Sequence, residues 1–149
     1  MGLAFDDIEV GRAYPTYART VTEADHSLFL GFARLTLPLF NDETFARSTP
    51  AGGRIAPGFM TGSIVAGMLE SVLGRATLAG LGIDEMRFPG PVRIGDTLRA
   101  VIQVLDKRAL SDNRRGVVSL SIVTRNQRDE VVMHFRTQVM LALKEPPQP

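Results

Sequence analysis

Residues 52–73 read GGRIAPGFMTGSIVAGMLESVL. A Gly-Gly turn leads through Arg54 and Ile55 to Pro57 and Gly58, and an unbroken apolar series follows. Phe59, Met60, Ile64, Val65, Met68, Leu69, Val72 and Leu73 recur at three- and four-residue spacings, which predicts one long helix over 58–73. Gly62, Ser63, Ala66 and Gly67 fill the remaining circumference. A helix that is apolar nearly all round is expected to be buried on most sides. Each interior glycine costs about 1 kcal/mol relative to alanine, so close approach of a sheet is the expected reason for them. The first turn of the helix exposes unpaired backbone N–H groups, which suit a carbonyl or anionic oxygen. Thr61 and Ser63, with no histidine nearby in sequence, are expected to bond back to their own helix.

Downstream of Gly74 the period changes to two. A strand-like stretch runs through 76–88 and is broken by Pro89-Gly90-Pro91. Leu98, Ala100, Ile102 and Val104 then alternate with polar neighbours, as do Val118, Leu120 and Ile122, and Met133, Phe135, Thr137, Val139, Leu141 and Leu143. Turns at 111–116 and 126–130 make these three half-buried strands antiparallel neighbours. Upstream, Thr22 and Asp25 form a capping box that opens a helix over 23–34, with Ala24, Leu28, Phe29 and Phe32 expected on its core-facing stripe. A second short helix is expected over 42–46, and a turn-rich loop over 48–54. The fold class is therefore α+β: an antiparallel sheet curved around one long central helix. One domain covers 1–143, and the proline-rich 144–149 is read as a disordered tail.

Bulk properties narrow the function. The chain has 149 residues, no cysteine and a formal net charge of +1. Thiol nucleophiles, thiolate metal sites and disulfides are thereby excluded. Near-neutral charge gives no handle on nucleic acid or an anionic membrane, and no segment has the length of a membrane span. The N-terminus lacks the pattern of a signal peptide, so a cytoplasmic location is expected. No metal-ligand cluster, phosphate-binding loop or dinucleotide glycine motif is present, and no cofactor is expected.

The segments TVTEADHSLFLGFA, PLFNDETFA, GGRIAPGFMTGSIVAGML and FPGPVRIGDTLRAVIQVLDKR together resemble the MaoC-like dehydratases, the R-specific enoyl-CoA hydratase branch of the hotdog fold. The resemblance implies a central helix wrapped by a sheet, dimerised through that sheet, and an acyl-CoA thioester as ligand in fatty acid metabolism. It also implies an aspartate and a histidine before the long helix, with a backbone N–H at the helix start polarising the thioester carbonyl. Here the aspartate position falls on Leu35, the histidine position on Phe40, and the histidine before the helix glycine on Pro57. Leucine and phenylalanine move no proton. Gly58 keeps the oxyanion position, with Ile55, Phe59 and Ser63 as substrate-lining candidates.

Three readings follow. The first is an acyl-CoA-binding, non-catalytic or partner-dependent subunit, acting as a homodimer or higher homo-oligomer, or as a heterodimer with a catalytic homologue. The second is an active hydratase or dehydratase with relocated acid–base residues drawn from Asn41 or Asp42, or from Thr36, Glu43 or His26. The third is a hotdog acyl-CoA thioesterase. Asp42 and Glu43 are read as capping or solvated groups, His26 as a surface or satisfied core residue, and His134, alternating with apolar positions on the last strand, as facing a dimer partner or solvent. If CoA binds, its phosphates meet dispersed arginines such as Arg54, Arg87 or Arg93, each of which is read first as a surface residue.

Overall fold

A computed structural model describes residues 2–144. A short 3-10 turn (Phe5–Asp7) precedes β1 (Ala13–Pro15) and β2 (Arg19–Thr20), then the helices α1 (Glu23–Ala33), α2 (Pro38–Asn41), α3 (Glu43–Arg47) and α4 (Gly58–Leu73). Four long strands follow: β3 (Thr77–Arg87), β4 (Thr97–Ala109), β5 (Arg115–Arg125) and β6 (Val131–Ala142). The sheet order is β1-β4-β5-β6-β3, with β2 also on β4 and every pair antiparallel. This is the α+β arrangement expected from the sequence, a long helix against an antiparallel sheet. The β4–β5–β6 meander is as expected. Its two turns carry Asn113 and Asp129 at φ 53° and 64°, residue types whose short side chains tolerate that conformation. The chain crosses from β3 to β4 through the Pro-Gly-Pro segment, which leaves β3 as an edge strand beside β6.

The strand alternation decides what enters the core. Leu98, Ile102, Leu120, Ile122, Met133 and Leu141 are buried with Met60, Val65 and Met68 of α4. Fully burying a side chain of this size contributes about 1.5–3 kcal/mol, so the α4–sheet contact dominates the stability of the fold. The N-terminal turn docks on the same body. Phe5 packs over Gly116, where a Cβ would lie 2.2 Å from its ring, and Lys107 donates its ammonium to the carbonyl of Phe5 at 3.2 Å.

Two expectations are corrected. The capping box of α1 forms, with the Asp25 N–H on Thr22 Oγ1 at 3.1 Å and the Thr22 N–H on Asp25 Oδ2 at 2.9 Å. The buried face, however, carries His26 and Leu30, while Leu28 and Phe32 are 74% and 88% exposed. Both faces of α1 bear apolar groups, so hydrophobicity alone does not select the one that turns inward. In α4, Phe59, Ser63, Ala66, Gly67 and Glu70 form an exposed stripe. A Cβ on Gly67 would meet nothing within 4 Å, and one on Gly62 only Met86 Cε at 3.7 Å. Gly67 therefore faces a side of the helix that the sheet of the single chain does not cover, and Gly62 meets that sheet through the tip of Met86 in β3. Of the expected tail, 145–149 lies outside the described residues; the Lys144 N–H donates to Asp6 at 2.7 Å.

Candidate functional site

The loop before α4 is held in place by two clamps. Gly52 and Gly53 take φ of 67° and 155°, open to glycine and strained for other residues. Ile55 bridges to Arg93, and the Ala56 N–H donates to the Val92 carbonyl at 2.8 Å. Arg93 in turn donates to the Ala51 carbonyl. The second clamp is Arg54. Its two terminal nitrogens donate to both carboxylate oxygens of Glu23 at 2.9 and 3.1 Å, and its Nε to Glu43 at 3.3 Å. Glu43 also accepts from Arg47 Nε at 2.8 Å and from the Arg54 backbone N–H at 3.2 Å. One guanidinium thus ties α1, α3 and the loop together.

The electrostatic consequence is directional. Hydrogen bonds from Arg47 and from the Arg54 N–H hold the Glu43 carboxyl below its ordinary range, and the bond from Arg54 does the same for Glu23. Their stabilisation is complete above the ordinary glutamate range and is lost as pH falls through the lowered folded-state values. The stability difference between the wild type and Arg54→Gln is therefore largest near neutral pH and shrinks in acid. Urea titrations followed by circular dichroism across that range measure it, and a difference constant with pH would contradict the clamp.

At the start of α4 lies a cavity of about 450 Å³, walled by Leu39, Phe40, Ile55, Phe59 and the Phe88–Val92 segment. Pro57 supplies no side-chain cap, so the first N–H groups of the helix, beginning with Gly58, have no partner within it. A Cβ at Gly58 would lie 2.7–2.9 Å from the Phe88 ring; the ring occupies the space that glycine leaves. Thr61 is buried and donates its hydroxyl to the Pro57 carbonyl at 3.4 Å. Among the described residues no ionisable side chain lines this cavity. Its polar equipment is backbone and one committed hydroxyl.

The remaining candidates are dispersed. Leu35, Thr36 and Asn41 line a second cavity of about 420 Å³ under α1. The single turn α2 stands between the two spaces, with Leu39 and Phe40 toward one and Asn41 toward the other. Leu35 and Phe40 thus face different cavities. Asn41 spends its amide on the carbonyls of Leu35 and Leu37 at 3.0 and 3.4 Å. Asp42 caps α3 by accepting from the Phe45 N–H at 2.9 Å. Ser63 bonds back to the Phe59 carbonyl at 2.8 Å and lines a separate apolar groove, with Ile83, Met86 and Phe135, of about 360 Å³. Arg87 donates to the Met86 carbonyl at 3.0 Å. His134 sits half-buried in β6, opposite Val123 and Arg87.

Two residues were missed by sequence reasoning. Phe88 reads as the end of a strand, and only the crossing segment folded over α4 brings its ring to Gly58. Thr61 was singled out only for its helix bond. Among the described residues no three His, Cys, Asp or Glu side chains gather as metal ligands, and no helix is long and apolar enough to cross a membrane.

Comparison with known proteins accounts for this frame. The chain is 36% identical over 104 residues to the (R)-specific enoyl-CoA hydratase of Rhodospirillum rubrum, covering 67% of this chain and 68% of that one. It is 32% identical over 154 residues to the 3-hydroxybutyryl-CoA dehydratase of Methylorubrum extorquens, covering 99% and 89%. The crystal structure of a putative MaoC domain protein dehydratase from Chloroflexus aurantiacus superposes with a TM-score of 0.92 at 30% identity. That match takes in 99% of this chain and 42% of the other, so the fold recurs as one part of a longer protein. The helix-on-sheet architecture is the hotdog fold. The model of the MaoC like domain matches residues 7–131, and the chain belongs to that family of hydratases and dehydratases acting on CoA thioesters.

Proposed function

We propose that this chain binds an acyl-CoA thioester with its carbonyl oxygen on the Gly58 N–H and its acyl group among Phe40, Ile55 and Phe59, without itself adding or removing water. The observation that carries this reading is the cavity wall: an unpaired helix N-terminus set among apolar side chains, with no acid or base. A backbone donor polarises a carbonyl. Removing positioned acid–base groups costs about 10²–10⁴-fold in rate. Of the relocated alternatives, Asp42 is engaged in its cap, Glu43 lies under two arginines that push its basicity the wrong way for a general base, and His26, Thr36 and Asn41 line the other cavity and not the one at Gly58. Calorimetric titration with butyryl-CoA should show saturable binding, while the pure protein leaves the absorbance of a trans-2-enoyl-CoA unchanged. Turnover by the pure protein overturns the reading, and so does an absence of binding.

The same reading makes the chain one half of a dimer, either with its own copy or with a catalytic homologue. Support comes from β3. Leu78, Leu81 and Ile83 are 51%, 46% and 59% exposed on an edge strand of 11 residues. A long apolar edge is a template for another strand, and antiparallel pairing of a strand with its own copy is two-fold symmetric. The exposed stripe of α4, with Phe59 77% exposed, borders the same side through the apolar groove. Light scattering after gel filtration should give a dimer for the wild type and a folded monomer for Leu81→Glu/Ile83→Glu. A monomeric wild type would count against a homodimer and leave the heterodimer to be tested by co-purification with a catalytic homologue.

A further inference from the structure

Three of the chain's eight phenylalanines meet at the cavity over Gly58, each from a different element: Phe40 from α2, Phe59 from α4 and Phe88 from the link between β3 and β4. Burial of apolar surface does not by itself require rings, and the thioester reading leaves their convergence unused. The rings are also within a ligand's reach. Phe59 and Phe88 are 77% and 46% exposed and Phe40 is half-buried, so each still has apolar surface to give to a ligand.

The orientation of Phe88 selects the ligand class. The ring atoms nearest to a Cβ built on Gly58 are Cζ, Cε1 and Cε2, at 2.7, 2.9 and 2.9 Å. Phe88 therefore points its far edge at the space beside the first turn of α4. A ring edge carries the positive part of the aromatic quadrupole, and its complement is the negative face of another ring. With the thioester oxygen on the Gly58 N–H, the first atoms of the acyl group lie against that edge. A saturated chain gains burial there without the quadrupole attraction, and it gives up rotamer freedom that a flat ring does not have. Pro89 and Pro91 have no N–H, and the 89–91 link makes no backbone hydrogen bond among the described residues. Phe88 is thus free to adjust to the thickness of what enters. The volume of about 450 Å³ exceeds the roughly 150 Å³ in which an apolar cavity takes up benzene. On the thioester reading of this site, on which the inference rests, we infer that the preferred acyl group is aromatic: an aroyl thioester whose ring meets the edge of Phe88 and packs against Phe40 and Phe59.

Calorimetric titration of the full chain with benzoyl-CoA and with cyclohexanecarbonyl-CoA tests this, because the two acyl groups share a carbon skeleton and the saturated one has the larger apolar surface. A merely apolar cavity binds the saturated ring at least as tightly. The ring arrangement makes benzoyl-CoA the tighter ligand by about threefold or more. Phe88→Leu, at an exposed position, keeps the wall apolar and removes the edge, and should bring the ratio of the two affinities to one or below. Thermal unfolding establishes that this variant is folded. In proton–nitrogen spectra, the ring current of a bound benzoyl group should move the Gly58 amide further than the saturated group does. The inference is overturned by cyclohexanecarbonyl-CoA binding as tightly as benzoyl-CoA, by a ratio that Phe88→Leu leaves unchanged, or by a Gly58 amide that responds equally to both. If butyryl-CoA binds and the aromatic preference is missing, this inference falls and the thioester reading stands. If no thioester binds, the thioester reading fails its own titration and takes this inference with it.

Discussion

Gly58→Val will weaken acyl-CoA binding by about 100-fold, because the added side chain fills the mouth of the cavity at the start of α4. The expected size follows from steric discrimination in an apolar pocket, where 1–3 kcal/mol corresponds to roughly 10–200-fold. The mechanism is local. A Cβ at this position already lies 2.7 Å from Phe88 Cζ, so valine must push the ring outward or into the cavity. Overpacking of this kind also costs about 1–3 kcal/mol of stability. Phe88→Ala separates the two effects. If the clash is the cause, the double variant Gly58→Val/Phe88→Ala recovers stability relative to Gly58→Val alone, a coupling that a double-mutant cycle measures directly. Calorimetric titration with butyryl-CoA and urea unfolding of the four proteins give the two readouts. Unchanged binding in Gly58→Val would remove the helix N-terminus from the site.

Met68→Ala will cost about 2–5 kcal/mol, whereas Gly67→Ala, one residue away, will stabilise the helix by up to about 1 kcal/mol. Met68 is fully buried in the contact between α4 and the sheet. Truncation leaves a cavity that strands fixed by two ladders cannot collapse to fill. Gly67 is exposed, has no atom within 4 Å of a built Cβ and sits in helical conformation. Alanine there lowers the entropy of the unfolded chain at no steric cost. Thermal unfolding should therefore move in opposite directions for neighbouring residues, by about 2–4 °C per kcal/mol for a chain of this size. A destabilised Gly67→Ala would show that the open face of α4 is covered in solution, and the gel-filtration experiment on the β3 edge identifies by what.

Much of the fold was legible because period and burial coincide in the meander. Leu98, Ala100, Ile102 and Val104, then Val118, Leu120 and Ile122, then Met133, Phe135, Val139 and Leu141 recur at alternate positions and are buried, while the out-of-phase Val101 is exposed. The long helix was equally plain. What sequence could not assign was the direction in which an element with two apolar faces turns. Leu28 and Phe32 outrank His26 on any hydrophobic scale, yet His26 is inside. The Thr22–Asp25 cap and the Arg54–Glu23 clamp set how α1 docks, and neither is expressed in its periodicity. Gly67 of α4 was misread for a related reason: a helix packed on one side only looks, in one dimension, like a helix packed all round.

The candidate site divides along the same line. Sequence alone showed that Leu35 and Phe40 carry no titratable group and that Gly58 opens a helix with unpaired N–H groups, since both facts are properties of residue type and local conformation. Only the tertiary structure decided that α2 separates Leu35 from Phe40, that Phe88 closes over Gly58, and that His26 and Arg34 share a cavity. Those are contacts between segments far apart in the chain or on facing walls of a turn, fixed by packing and ion pairing after the helices have formed. No local pattern encodes them.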